Sequence, residues 1–241
     1  TIGFGGRVID DSMPKYLNSK ESKFFNKTRE LYGFNNAKKD LKTNDFIVTE
    51  GYMDVVMLSE YGINNAVASL GTAFSQNHMS SMFKLRRKIT FCFDSDEAGL
   101  KAAWRALQIS LKHVIDDKTV RFLFLPEGYD PDSFVKEKGE QEFYKKLDRA
   151  MVLESFAFQY LKRGKKLDSP EDIRQIIFEF KKLLPLVTSE MLKETLMTKF
   201  SSELNINKEI LLKEDKPEKK TYVKKFLKSK KTAFENEFLL L

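Results

Sequence analysis

The 241-residue sequence predicts an α/β protein: a mostly parallel sheet flanked by helices, preceded by the end of an N-terminal α+β segment and followed by a small helical bundle. Three observations carry this reading. Between residues 46 and 125, short apolar runs alternate with segments of helical periodicity, the pattern of parallel strands joined by right-handed helical crossovers. The runs lead into acids: Glu50 follows residues 46–49, Asp94 and Asp96 follow 89–93, and Asp130 and Asp132 come shortly after 120–125. Ligands of such sheets bind outside the carboxyl ends of the strands. Beyond residue 139, strand signals are few and helical periodicity dominates.

The elements follow in order. Residues 1–9 alternate like a strand, although three glycines weaken it, and no helix follows to make those glycines a dinucleotide fingerprint. Turn formers occupy 10–14, residues 15–19 read as a short exposed segment, and 28–40 show helical spacing with a modest apolar face. Strands are expected at 46–49, 66–70, 89–93 and 120–125. Helices are expected at 52–61, closed by Gly62, at 75–85, and at 97–111, which sets Leu100, Ala103, Trp104, Leu107 and Leu111 on one face. Trp104 therefore reads as core, and Met53 and Met57 as helix packing. The basic run Lys84-Leu85-Arg86-Arg87-Lys88 suits a helix C-terminus without any ligand. Further helical segments cover 142–162, 170–184 and 189–204; the second has Ser169 as N-cap and Pro170 at its first position.

Bulk properties narrow the classes. With 41% hydrophobic and 12% aromatic residues the composition is globular, and no apolar run nears the ~20 residues needed to cross a bilayer. No signal-peptide pattern is present, and Thr1 falls inside an expected strand, so the chain reads as a piece of something longer from a cytoplasmic protein. A single cysteine, Cys92, and two distant histidines, His78 and His113, leave no zinc-binding pattern. Of the net charge of +7, residues 213–231 supply +6, with nine Lys against three acids, so basicity is weak support for nucleic-acid binding by the folded part.

The acids carry the chemistry. Magnesium takes oxygen ligands and is usually held by one or two carboxylates plus water and substrate phosphates. Six acids on three loops, Glu50, Asp54, Asp94, Asp96, Asp130 and Asp132, suffice for two or three ions at separate positions rather than in one cage. Two such ions can activate an attacking hydroxyl and stabilise a leaving pyrophosphate.

At Glu50 and Asp94-Ser95-Asp96 the sequence resembles the TOPRIM domain, whose signature is a glutamate after one strand and Asp-x-Asp after a later one. Glu50-Gly51-Tyr52-Met53-Asp54, the stretch Ala66-Val67-Ala68-Ser69-Leu70-Gly71-Thr72 and Asp130-Pro131-Asp132 are similar to bacterial replicative primases of the DnaG type. So are Gly3-Phe4-Gly5-Gly6-Arg7 and Pro14-Lys15-Tyr16-Leu17-Asn18-Ser19. The resemblance covers roughly residues 1–140. Ser95 departs from the family's usual glycine, which is tolerable if its φ is negative.

The resemblance implies that Glu50, Asp94 and Asp96 are catalytic metal ligands, with Asp54, Asp130 and Asp132 completing the set, and that Glu50 assists proton transfer from a 3′-hydroxyl. It implies nucleotide or template contacts for Arg7, Lys15, Asn18 and Lys27, although by themselves the three cations read as surface charges. The implied activity is synthesis of RNA primers from ribonucleoside triphosphates on single-stranded DNA with Mg2+, for which Mn2+ substitutes. The implied partners are the template, the nucleotides, the RNA primer–DNA hybrid and the replicative helicase, the last through a domain outside this sequence; a zinc-binding domain is likewise expected elsewhere, and no membrane is involved. On the same basis 1–42 is the end of the N-terminal polymerase subdomain, 43–140 the TOPRIM subdomain, 141–212 the helical subdomain, 213–231 a Lys-rich linker and 232–241 the start of a further segment. The linker reading stands against DNA binding by the same lysines. The rivals are another TOPRIM enzyme that cleaves phosphodiesters and a non-catalytic TOPRIM scaffold. Retention of six acids speaks against the scaffold, because clustered carboxylates without metal repel one another.

Overall fold

The computed structural model describes residues 1–8, 16–71, 73–115 and 117–212. Parallel strands buried on both faces are apolar at nearly every position, and the central strands β3 (Asp45–Thr49) and β5 (Lys88–Phe93) are of this kind. With β4 (Ala66–Ala68), β6 (Thr119–Phe124) and β7 (Met151–Val152) they make a sheet of order β4-β3-β5-β6-β7, parallel except for β7. Side chains alternate across the sheet. Phe46, Val48, Phe91 and Phe122 face one core, while Ile47, Cys92 and Leu123 face the other.

Helices α2 (Tyr52–Glu60), α5 (Pro131–Lys138) and α6 (Glu140–Asp148) cover the second face. The first is covered by α3 (Gln76–Phe83), α4 (Glu97–Ser110) and α7 (Leu153–Lys162). The α4 face is the expected one: Ala103, Leu107 and Leu111 are buried, and Trp104 stacks on Tyr160 at 4.1 Å. Phe156 of α7 stacks on Phe122 at 4.3 Å, which carries the core outward to α8 (Pro170–Leu183) and α9 (Glu190–Leu204), where Phe180 and Phe200 stack at 3.9 Å. Ser169 and Ser189 cap these helices through their hydroxyls, and a short α10 (Lys208–Leu212) follows. No helix among the described residues is long and apolar enough to cross a membrane.

Four expectations are corrected. Among the described residues 1–8, the strand expected at 1–9 is only β1 (Gly5–Arg7), and it pairs antiparallel with β2 (Tyr16–Asn18), within the segment read as exposed. The helix at 28–40 is only α1 (Phe34–Ala37), because Tyr32 exchanges two backbone hydrogen bonds with Ala68 and Gly33 turns at φ 76°. The helix at 142–162 is broken by β7, and α5 forms where no helix was assigned. The Lys-rich 213–231 and the terminal 232–241 lie outside the described residues.

Gly33 and Gly62 share a positive φ but differ in the space around them. A Cβ at Gly33 would lie 2.7 Å from Val55 Cγ1 and 3.0 Å from the Ala66 carbonyl, whereas at Gly62 it would meet open space. Gly62→Ala is expected to cost about 1–2 kcal/mol of backbone strain, and Gly33→Ala more. Urea denaturation midpoints of the two variants check this; equal losses would contradict the packing described.

Candidate carboxylate metal centre

The site begins with strand register. Val48 lies opposite Phe91 and Phe93 opposite Phe124, so β3, β5 and β6 reach one rim together and deliver Glu50 and Asp94 side by side. The Thr49 hydroxyl donates to the Gly51 carbonyl at 3.1 Å and the Val67 carbonyl at 3.4 Å, fixing the turn that aims Glu50. The Asp94 N–H donates to Glu50 Oε1 at 3.2 Å. This approach needs Gly99: a Cβ there would stand 2.3 Å from the Asp94 carbonyl and 3.0 Å from Glu50 Oε1.

Three of the other acids are built into helix starts, where unpaired N–H groups favour negative charge. Asp54 Oδ2 accepts from the Gly51 N–H at 3.1 Å at the head of α2. Asp96 is the N-cap of α4, accepting from the Gly99 N–H at 2.7 Å. Asp130 is the N-cap of α5, accepting from the Ser133 N–H at 2.8 Å and its hydroxyl at 2.5 Å. Asp132 sits in the first turn of α5, with Oδ1 buried and without a hydrogen-bond partner. The Ser95 hydroxyl donates to the Leu125 carbonyl, tying the Asp-x-Asp loop to the end of β6. Among the described residues Asn205 is the non-glycine at positive φ, so Ser95 meets the condition on which it can replace glycine.

Glu50, Asp54, Asp94, Asp96 and Asp130 lie close enough for their charges to act on one another. Burial, then repulsion from Asp130, Asp94 and Glu50, pushes the Asp54 carboxyl up to about 7 against the opposing Gly51 hydrogen bond. Glu50 is raised by burial and by the charges of Asp94 and Asp96, and Asp94 by burial and by those of Asp130 and Asp96. A cleft of 520 Å³ is lined by Asp94, Ser95, Asp96, Glu127, Gly128, Tyr129 and Asp130. Glu127 is a seventh acid that the sequence reading missed; its position in the loop after β6 was the available signal.

The donor set fits a divalent cation. It is entirely oxygen, mutually repulsive, and includes the orphaned Asp132 Oδ1. Among the described residues no three His, Cys, Asp or Glu side chains gather closely enough to cage one ion. Magnesium takes one or two carboxylates and completes its shell with water and phosphate.

The other predicted residues lie on the flanking ribbon. Arg7 stands opposite Tyr16 in the β1–β2 pair, its guanidinium 5.7 Å from the Tyr16 ring. Asn18 packs against Gly5 and Gly71, where added Cβ atoms would come within 3.0 and 2.8 Å of its side-chain amide. Tyr52, two residues after Glu50, meets Tyr16 at 5.4 Å and Tyr32 at 5.3 Å, so it joins the ribbon to the acidic rim. The Lys27 carbonyl accepts from His78 Nε2 at 3.1 Å while His78 Nδ1 accepts from the Ser75 N–H, which holds residue 27 at the start of α3. Lys15 lies outside the described residues.

The fold and the acid-rimmed strand ends define a Toprim-like protein, and the family model of that description matches residues 47–135. A second model, described as the DNA primase catalytic core, N-terminal domain, matches residues 1–38. The chain is 41% identical over 206 residues to the DNA primase of Escherichia coli strain K12, covering 85% of this chain and 36% of that protein. It matches a solved DnaG catalytic core with a TM-score of 0.79 and 40% identity, covering 87% of this chain and 68% of that one. A DnaG primase catalytic domain bound to ssDNA gives a TM-score of 0.77 and 40% identity, covering 83% of this chain and 65% of that one. The chain belongs to the DnaG-type DNA primase family. It spans 36% of the length of the E. coli protein.

The folded-state carboxyl of Asp54 is pushed up to about 7 against 3.8 for the ordinary group, so the folded state holds the proton more tightly and the metal-free chain loses stability as pH rises from about 4 to 7. In EDTA, Asp54→Asn is expected to remove that loss, stabilising the chain by roughly 1–3 kcal/mol at pH 8 and little at pH 4. Denaturant unfolding at both pH values checks it; the same effect at both would show that Asp54 carries no repulsive charge.

Proposed function

We propose that this chain is the part of a DNA primase that holds the metal ions and joins ribonucleotides on a single-stranded DNA template. The observation that carries this reading is the electrostatic coupling of Glu50, Asp54, Asp94 and Asp130 at one rim of a DnaG-type fold. Glu50, Asp94 and Asp96 hold the catalytic Mg2+ ions, with Asp54, Asp130 and Asp132 as further ligands, and Mn2+ substitutes. When bound, the metal lowers the pKa of the attacking 3′-hydroxyl and neutralises charge developing on the leaving pyrophosphate.

The chain's residues supply placement. The Asp94 N–H fixes one oxygen of Glu50, and burial with neighbouring charge raises this carboxyl above its ordinary value, the direction that favours a role in proton transfer from the 3′-hydroxyl. The β1–β2 ribbon brings Arg7 and Asn18 beside Tyr52, where they hold nucleotide phosphate and template; Lys27 acts from the start of α3, and Lys15 is assigned with them. Arg7 and Lys27 offset the anionic charge of substrate at an acidic rim. Binding of ssDNA is drawn from the DnaG catalytic domain bound to it. Nucleotides, the primer–template hybrid and a helicase contacted through another domain complete the partners. The division into a polymerase-subdomain end (1–42), a TOPRIM subdomain (43–140) and a helical subdomain (141–212) is a functional one within a single packed unit of residues 1–211.

The test is to incubate the chain, with the flanking primase domains supplied if needed, with single-stranded DNA, ribonucleotides and Mg2+ or Mn2+. Template-dependent oligoribonucleotides are expected, falling by on the order of 100-fold in Glu50→Gln. Cleavage of the DNA without nucleotide incorporation would assign the site to the phosphodiester-cleaving rivals instead.

A further inference from the structure

Glu50 does not line the 520 Å³ cleft of Asp94, Asp96 and Asp130; it lines a separate cavity of 220 Å³ together with Thr49, Ser69, Phe74, Phe93 and Arg105. The pairing of Thr49 with Ala68 sets Ser69 level with Glu50 across β3 and β4. Arg105 reaches the same space from α4, just over two turns beyond Glu97.

The cations near Arg105 are engaged. Lys101 lies 3.7 Å and Arg163 2.8 Å from Glu97, so both are at least partly neutralised. Arg105 has no hydrogen-bond, ion-pair or ring partner among the described residues, and neither does the Ser69 hydroxyl. The Thr49 hydroxyl, by contrast, is committed to two carbonyls. An unengaged guanidinium and an unengaged hydroxyl thus border one cavity whose other walls include two phenylalanine rings.

We propose that Arg105, assisted by the Ser69 hydroxyl, binds a phosphate oxyanion in this cavity beside Glu50. The guanidinium fork matches two phosphate oxygens at once, which an ammonium group does not. Whole small-molecule sites run from roughly 300 to 1,000 Å³, so a cavity of 220 Å³ takes one phosphate group rather than a nucleotide. Arg105 and Glu50 line the same cavity, so an anion held by the guanidinium there lies beside the acidic rim. The role of the contact in polymerisation rests on the primase reading, but the binding does not. The phosphate belongs either to a nucleotide triphosphate or to a nucleic-acid backbone.

The experiment separates these sources. Isothermal titration of inorganic tripolyphosphate and, separately, of an oligo-dT into the whole chain with Mg2+ is compared for wild type, Arg105→Ala and Arg105→Lys. Arg105→Ala is expected to weaken at least one probe by on the order of 10-fold, and Arg105→Lys by less. Arg105 is exposed and makes no internal bond, so the unfolding midpoint stays unchanged. Loss confined to tripolyphosphate assigns the nucleotide; loss confined to oligo-dT, with a salt dependence shallower by about one phosphate contact, assigns the backbone. Loss of both supports an oxyanion site open to either. Equal affinities in all three proteins, or no binding of either probe by wild type, overturns the proposal. No primer synthesis enters the measurement, so a failed primase reading and a failed Arg105 assignment are distinguishable.

Discussion

Glu50 and Asp94 repel each other as carboxylates, yet the Asp94 N–H donates a hydrogen bond to Glu50 Oε1 at 3.2 Å, and the geometry of the site depends on that contact. It ties the end of β3 to the end of β5. It forms only because Gly99, in the first turn of α4, packs against the Asp94 carbonyl, where any Cβ would collide. The same turn places Asp96 as the cap of α4, so a single loop sets two acids and starts a helix. The register of two buried parallel strands holds the loop in place, and each strand is gripped by apolar layers on both faces.

The acids serve the fold as well as the site. Asp54, Asp96 and Asp130 satisfy backbone N–H groups at the starts of α2, α4 and α5, which offsets part of their mutual repulsion. What remains shows in the raised Asp54, Glu50 and Asp94 carboxyls, and a divalent cation would relieve it. Asparagine in these positions keeps an oxygen for the cap and removes the charge, so it probes the site with less damage to the fold than alanine. Asp132 is different: its orphaned Oδ1 gives the fold nothing that the structure shows.

Much of this was legible in the sequence because it is local. Strand ends, acid positions and the Ser169–Pro170 helix start need only neighbouring residues, and each appears in the structure. The misreadings arise from distant partners. Residues 28–32 have helical spacing, but Ala68 captures the backbone of Tyr32. The Tyr16–Asn18 strand exists because Gly5–Arg7 pairs with it, and Met151–Val152 because β6 offers an edge. Gly99 and Arg105 have no local signature, since it is the packing of α4 on the sheet that sets them beside Glu50.

The central claim is that separated carboxylates at one rim hold divalent cations by one or two oxygens each. Its most direct test is Mn2+ titration of the chain followed by electron paramagnetic resonance, with Asp94→Asn as the comparison. The account predicts Mn2+ binding by the wild-type chain, weakened on the order of 10-fold by loss of one ligating charge. Equal affinity in the two proteins would remove Asp94 from the site and contradict the account.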